Sequence, residues 1–202
     1  MLMATGDVKW ADKMESAVYN AALGAINKDF KALQYFSSPN QLLATEKSSM
    51  APYGEEGLSR QAYRPGFDVE CCSGNVHRMF PNYISRMWMN GDEHEIVAAL
   101  YGPSEYRTEI NGTKVCITED TSYPFSGKIT FRFALDGAPV RIPFTMRIPS
   151  WVENAKLTVN AEQPKEYHAG GFSTIERRFK DGDVVELSLI HISEPTRRRG
   201  IS

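Results

Sequence analysis

The sequence has few cysteines, no long apolar run and no block of charge of one sign. Three cysteines among 202 residues are too few for a framework of disulfide bonds, so free thiols are expected, as in a reducing compartment or a metal site. No segment approaches the roughly 20 consecutive apolar residues that a membrane-spanning helix needs. The net charge of −2, with no long basic run, argues against a nucleic-acid surface. We therefore expect neither a membrane nor a nucleic acid as partner.

The chain begins without a recognisable targeting signal. Its first ten residues, MLMATGDVKW, lack the charged region and the apolar region of a signal peptide. The localisation stays open between cytoplasm and periplasm, and nothing in the sequence indicates an oligomeric state.

The first part of the chain has the apolar spacing of helices. Apolar residues recur at steps of three and four over residues 8–25, after Asp7, which is placed to cap the helix. The same spacing predicts a second helix over Asn75–Met89. We expect these helices to belong to one domain that extends to residue 92.

After residue 92 the pattern becomes that of strands. Seven short alternating segments are separated by turn sequences such as Asn111-Gly112, which predicts an antiparallel β-sandwich over residues 93–187. The whole chain is therefore expected to be an α+β protein of more than one domain.

The last residues have an unusual sequence. LSLIHISEPTR, residues 187–197, resembles the in-frame translation of a sequencing adapter. We expect residues 188–202 to be a non-native tail. The alternative is a native strand followed by a basic tail.

Cys71 and Cys72 stand side by side just before the second predicted helix. Unpaired backbone N–H groups and the positive end of the helix dipole favour a thiolate there, and a thiolate is both a nucleophile and a zinc ligand. A tetrahedral zinc needs further ligands, for which Glu70 and His77 are candidates and Cys116 is remote, but the spacing matches no standard zinc finger. Two other interpretations stay open: two buried thiols that cap the helix, and a thiol redox or metal-storage module. Cys116, inside a predicted strand, is expected to be a small buried residue.

Several segments occur in the order found in a known protein family. They are TGDVKWADKMESAVYNAAL from Thr5, ECCSGNVHRMFPNYISRMW from Glu70, FTMRIPSWVENAKLTVN from Phe144 and GFSTIERRFKDGDVVEL from Gly171. Together they resemble glycoside hydrolase family 127, formerly a domain of unknown function, from residue 5 to about residue 187. The resemblance implies that the helical domain is the C-terminal part of an (α/α)6 barrel, which the β-sandwich follows.

The resemblance also implies an enzyme that releases a terminal sugar with retention of configuration, as the family's β-L-arabinofuranosidases do. Cys71 would be the nucleophile and, with Cys72, a zinc ligand, since a metal lowers the pKa of a thiol and holds its orientation. Tyr35 matches a tyrosine near the sugar, and Asn75 and Arg78 match motif positions that brace the start of the helix. The expected partner is a carbohydrate.

The chain departs from the family pattern in ways that limit the resemblance. The family's other zinc ligands, a Glu-x-Cys pair, and its general acid, another Glu, precede the Thr-Gly-Asp segment, and no separate Glu-x-Cys pair occurs here. Val69 stands where well-studied members have a further cysteine, and Cys-Cys-Ser-Gly replaces the commoner Cys-Cys-Pro-Pro. We expect the full-length protein to be an enzyme and these 202 residues alone to be an inactive fragment. A non-catalytic carbohydrate-binding or scaffold sandwich is the alternative.

Overall fold

The computed structural model describes residues 1–35, 62–65 and 71–190. The chain divides into two compact units, one formed by Lys13–Ser85 and the other by Met1–Asp12 together with the chain from Arg86 onwards. The predicted domain boundary at residue 92 stays a prediction. So does the adapter-derived tail, of which residues 191–202 lie outside the described ranges.

Three α-helices lie in the described ranges: α1 (Leu2–Thr5), α2 (Val8–Ser16) and α3 (Cys71–Ile84). α2 continues into a π-helical segment, Ala17–Ala22. The helix predicted from residue 8 is therefore confirmed, although its second half has the wider turns of a π-helix. Asp7 caps this helix as predicted, because its Oδ1 accepts a hydrogen bond of 3.0 Å from the backbone N–H of Lys9. No helix in these ranges is long and apolar enough to cross a membrane.

The second predicted helix is present, but both of its predicted ends are wrong. α3 begins at Cys71 and ends at Ile84, earlier than the predicted Asn75–Met89. Trp88, which continues the apolar stripe in the sequence, instead begins a strand. An apolar residue indicates burial and leaves open which backbone conformation buries it, so a short apolar stripe does not define where a helix ends. Three helices do not amount to an (α/α)6 barrel, which stays a prediction.

Ten strands follow α3 in the described ranges and form two sheets. They are β1 (Trp88–Asn90), β2 (Ile96–Ala98), β3 (Ser104–Ile110), β4 (Thr113–Thr121), β5 (Lys128–Asp136), β6 (Val140–Ile148), β7 (Asn154–Val159), β8 (Lys165–His168), β9 (Gly171–Phe179) and β10 (Val184–Ile190). One sheet has four strands in the order β1-β2-β6-β9, and the other has six in the order β3-β4-β5-β10-β7-β8. The last strand along the chain therefore lies inside the larger sheet.

The predicted β-rich part is confirmed, but its strands are not all antiparallel. Every neighbouring pair in the six-stranded sheet is antiparallel. In the other sheet β2 runs parallel to β6, with Ile96 opposite Phe144. A parallel pair needs a long crossover, which β3, β4 and β5 provide here by passing through the six-stranded sheet. This long-range pairing leaves no local signal in the sequence.

Aromatic residues from facing strands fill the space between the two sheets. Phe131 and Phe133 of β5 contact Phe144 of β6, and Phe133 stacks on Phe179 of β9 with ring centroids 4.1 Å apart. All four side chains are buried. Burial of each such side chain contributes roughly 1.5–3 kcal/mol to folding. The alternation that predicts β5 and β6 thus also identifies their core-facing residues.

The turn between β3 and β4 has the predicted geometry. Asn111 and Gly112 both have positive φ values, 51° and 78°. A two-residue hairpin turn requires this backbone conformation at both positions, and Asn and Gly adopt it at least cost. The turn places Ile110 opposite Thr113 and so sets the register of the hairpin.

A buried ion pair connects α2 to the four-stranded sheet. The Arg147 side chain of β6 is fully buried, and its Nη1 donates a hydrogen bond of 2.5 Å to Oδ1 of Asp12. Its Nε donates to the Ala99 carbonyl oxygen at 2.8 Å. The other carboxylate oxygen of Asp12 accepts hydrogen bonds from the backbone N–H and the hydroxyl of Ser150. The Arg147 guanidinium also lies 5.3 Å from the centre of the Tyr101 ring.

Replacement of Asp12 by Ala is expected to destabilise the protein by about 3–5 kcal/mol, because it removes a carboxylate that pairs with a buried guanidinium. Urea unfolding followed by tryptophan fluorescence measures this loss. Asp136→Ala is the matched control, since Asp136 is exposed and 3.8 Å from Lys114, and it should change the free energy of unfolding by less than about 0.5 kcal/mol. A double variant, Asp12→Leu with Arg147→Met, should recover part of the loss. An Asp12→Ala protein as stable as Asp136→Ala would contradict this role.

Candidate functional site

Cys71 and Cys72 are the first two residues of α3, not residues before it. The Cys71 side chain is exposed and Cys72 is half-buried. Neither they nor Cys116 forms a disulfide. Both thiols lie in the first helical turn, where backbone N–H groups have no partner within the helix and the helix dipole favours negative charge. The interpretation as two buried thiols is therefore wrong for Cys71.

Tyr35 is brought to Cys71 by pairing of the backbone before it. Leu33 exchanges two backbone hydrogen bonds with Arg64, of 3.0 and 3.1 Å, and also bridges to Ile26. The backbone N–H of Gln34 donates to the Ala25 carbonyl oxygen at 2.7 Å. These bonds hold the segment that ends at Tyr35, and its hydroxyl lies 3.7 Å from the Cys71 Sγ. A residue far away in sequence is thus placed beside the exposed thiol.

A cavity of about 430 Å³ lies next to this pair. Tyr35, Cys72 and Asn75 line it, together with the alanines Ala17, Ala21 and Ala22 of the π-helical segment. Alanine side chains leave space above the helix, and π-helical turns are frequent at functional sites. Small residues on a helix give no chemical signal, so this wall of the cavity cannot be recognised from the sequence.

Asn75 and Arg78 are both exposed residues of α3. Asn75 lines the cavity with Cys72. Arg78 does not line it, and its backbone carbonyl accepts a hydrogen bond of 2.8 Å from the Asn82 side chain. In the described ranges no carboxylate lies within ion-pair distance of the Arg78 guanidinium. The structure thus brings Cys71, Cys72, Tyr35 and Asn75 together and leaves Arg78 outside the group, and their predicted roles stay predictions.

The metal ligands available in the described ranges are incomplete. No cluster of three or more His, Cys, Asp or Glu side chains capable of holding a metal occurs there. Glu70, a candidate ligand, lies outside the described residues, and His77 is exposed on α3. Two thiols in one helical turn suit a thiophilic metal such as zinc, but they provide two of the four ligands that a tetrahedral site needs. The residues present therefore fit half of a zinc site.

Cys116 is not the buried core residue expected from the sequence. It lies in β4 as predicted, but it is half-buried between Val115 and Ile117, which face the core. Residues adjacent in a strand point to opposite faces, so Cys116 faces away from the core, towards Glu105 and Arg107 of β3. Burial raises the pKa of the Cys116 thiol above its usual range, and the Glu105 carboxylate raises it further.

The two-sheet fold with its helical segment is shared by solved structures of enzymes that cleave glycosides. One, described as a glycoside hydrolase, has a TM-score of 0.75 and 27% identity over 94% of this chain. A second, a GH127 β-L-arabinofuranosidase from Geobacillus stearothermophilus T6, has a TM-score of 0.72 and 25% identity over 94% of the chain. A third, described as a GH127 β-arabinofuranosidase, is 22% identical over 93% of the chain with a TM-score of 0.71, and supports the fold alone. The class that the fold indicates is thus the glycoside hydrolases.

Two family models define the assignment further. The model described as "Beta-L-arabinofuranosidase, GH127 catalytic domain" matches residues 1–85, and "Beta-L-arabinofuranosidase, GH127 middle domain" matches residues 95–190. The chain belongs to glycoside hydrolase family 127. It spans about 30% of the length of the first structural relative and 29% of each of the other two. No protein of curated function matches the chain.

Cys71 is expected to react with iodoacetamide before the other two cysteines, because its Sγ is exposed while Cys72 and Cys116 are half-buried. The raised pKa of Cys116 keeps its thiol protonated at neutral pH, so its alkylation should become fast only at a pH above that of an ordinary cysteine. Mass spectrometry of peptides at successive times and pH values measures the order. A Cys71→Ser variant should lack the fast phase, and faster labelling of Cys116 than of Cys71 at pH 7 would contradict the arrangement.

Proposed function

We propose that this chain provides the nucleophile of a retaining glycoside hydrolase that releases a terminal sugar, such as β-L-arabinofuranose, from plant-type glycans. The observation that carries the proposal is the exposed Cys71 thiol, in the first turn of α3, with the Tyr35 hydroxyl 3.7 Å away. Membership of the family and a cavity lined by Cys72 and Tyr35 support it.

Retention of configuration requires two displacements at the anomeric carbon. In the first, the Cys71 sulfur forms a bond to that carbon while the bond to the leaving oxygen breaks, and a general acid gives the leaving oxygen its proton. In the second, the same residue, now deprotonated, takes a proton from a water molecule; the water oxygen bonds to the anomeric carbon and the carbon–sulfur bond breaks, which returns the thiolate. The general acid is expected from a Glu outside this chain, as the resemblance implies.

Tyr35 has the geometry of a residue that orients the nucleophile. Its hydroxyl can donate a hydrogen bond to the Cys71 sulfur or accept one from the thiol, because either atom can be the donor at this distance. Donation to a thiolate favours the charged and nucleophilic form. Because the backbone pairing of Leu33 with Arg64 fixes the segment before Tyr35, less ordering is needed to keep the hydroxyl close to the sulfur.

We further propose that Cys71 and Cys72 hold a zinc ion together with ligands from outside this chain. When bound, zinc supplies a lowered thiol pKa and a fixed orientation of the sulfur. The half-buried Cys72, which lines the cavity, acts as a ligand only, while the exposed Cys71 is accessible to substrate.

Cys71→Ala in the product of the complete gene is expected to lower kcat/KM for p-nitrophenyl β-L-arabinofuranoside on the order of 10⁴-fold or more, because it removes the atom that forms the covalent intermediate. Steady-state kinetics measures this, and NMR of the first product gives the anomeric configuration. Cys116→Ala is the matched control and should keep wild-type activity. A Cys71→Ala enzyme with unchanged activity, or an inverted product, would overturn the mechanism. Absence of activity in the unaltered protein on a panel of glycosides would favour a non-catalytic carbohydrate-binding module.

The zinc proposal is tested separately by metal content. Inductively coupled plasma mass spectrometry of the complete gene product should find about one zinc per chain. Cys71 and Cys72 would provide two of the four ligands of a single tetrahedral site. Cys72→Ser should lose most of this zinc, and Cys116→Ser should retain it. Equal zinc content in the two variants would contradict ligation by Cys72.

A further inference from the structure

A second cavity lies in the sandwich at the open side between its two sheets. It has a volume of about 280 Å³ and lies among β7, β8 and β9. β8 is the outer strand of the six-stranded sheet and β9 is the outer strand of the four-stranded sheet. The floor of this slot is apolar, formed by Leu157, Val159 and Ile175.

Polar side chains occupy core-facing positions on these two outer strands. Lys165 pairs with Leu157 and Tyr167 pairs with Ala155, so both face the same side as those buried residues. Directly opposed residues of a strand pair lie on the same face of a sheet. On β9, Arg177 pairs with the buried Ile142 and so also faces inward. Three positions that would carry apolar residues in a closed sandwich thus carry two cations and a phenol.

Lys165 differs from the other charged side chains of the slot in its ion pairing. Arg177 has a partner, since its Nη1 lies 3.4 Å from the Glu162 carboxylate. Glu176, which also lines the slot, pairs with Arg141 at 2.6 Å. Within the described ranges no carboxylate lies within 4 Å of the Lys165 ammonium group. A ligand with a single negative charge would complement this arrangement.

Neutral groups that can bind hydroxyls surround the same space. The Tyr167 hydroxyl and the Gln163 side-chain amide line the slot and make no hydrogen bond to any other described part of the chain. The Tyr167 ring and the apolar floor offer surfaces for the carbon face of a sugar. The volume is just below the range of about 300–1,000 Å³ typical of small-molecule pockets, which suits one sugar ring at a time.

From these observations we infer that the slot between β8 and β9 binds a single uronic-acid residue, with Lys165 receiving its carboxylate. Tyr167 and Gln163 contact the ring and its hydroxyls. The site lies in the sandwich unit and depends on neither cysteine of the helical unit. It would give the protein a preference for glycans that carry acidic sugars, whichever bond is cleaved.

Binding is tested on the 202-residue chain by amide NMR titration. Sodium D-glucuronate and sodium D-galacturonate should give saturable shifts at Lys165, Tyr167 and Arg177. D-glucose and D-galactose should bind at least about tenfold more weakly, because they lack the group that forms the charge-assisted bond. Sodium acetate at the same ionic strength tests whether the sugar ring contributes.

Lys165→Met keeps the length of the side chain and removes its charge, and it should weaken uronate binding by about tenfold or more. Lys156→Met is the matched control: Lys156 lies on the neighbouring strand, on the opposite face, 3.5 Å from Glu166. It should change binding by less than about twofold. Unchanged amide spectra away from the slot establish that both variants are folded.

The remaining outcomes overturn the proposal. Equal binding of neutral and acidic sugars would contradict the role of the charge, and acetate binding as tightly as the uronates would contradict the role of the ring. If Lys165→Met and Lys156→Met changed the affinity for uronate equally, the binding site would not be in this slot. No binding of any sugar would mean that the inward charges only prevent the outer strands from pairing with other chains.

Discussion

The buried pair of Arg147 and Asp12 is the interaction on which the arrangement around the four-stranded sheet depends. A guanidinium removed from water is stable only if its charge and its donors are met, and here they are met by Asp12, by the Ala99 carbonyl oxygen and by the Tyr101 ring. These partners come from α2 and from the segment that follows β2. The start of α2 is therefore held against β6 by a requirement of charge, which an apolar contact would not impose with the same specificity.

The helical unit uses backbone bonds for a similar purpose. Cys71 is placed by the start of α3, whereas Tyr35 is placed by the pairing of Leu33 with Arg64 and of Gln34 with Ala25. The 3.7 Å contact between the Cys71 sulfur and the Tyr35 hydroxyl connects the start of α3 with this paired backbone segment. Side chains held by hydrogen-bonded backbone keep their geometry better than side chains on unpaired loops, which suits the positioning of a nucleophile.

Local patterns predicted most of the strands, and long-range pairing explains the errors. β5 and β6 alternate strictly and were predicted, while β8 is short and charged and was missed together with β1 and β3. The parallel pairing of β2 with β6 depends on residues far apart in the chain, as does the meeting of Tyr35 and Cys71. The family resemblance pointed to Tyr35, but neither spacing nor composition could. Cys116 was misjudged because a strand buries only one of its two faces.

The position of β10 has a consequence for synthesis of the chain. This strand comes last among the described strands, yet it lies between β5 and β7 and pairs with both. Until the ribosome has released Val184–Ile190, the open edges of β5 and β7 have no partner, although β3, β4 and β5 can already form a meander. Such edges can pair with other nascent chains, so the interval before β10 emerges is the stage at which misfolding and aggregation compete with folding.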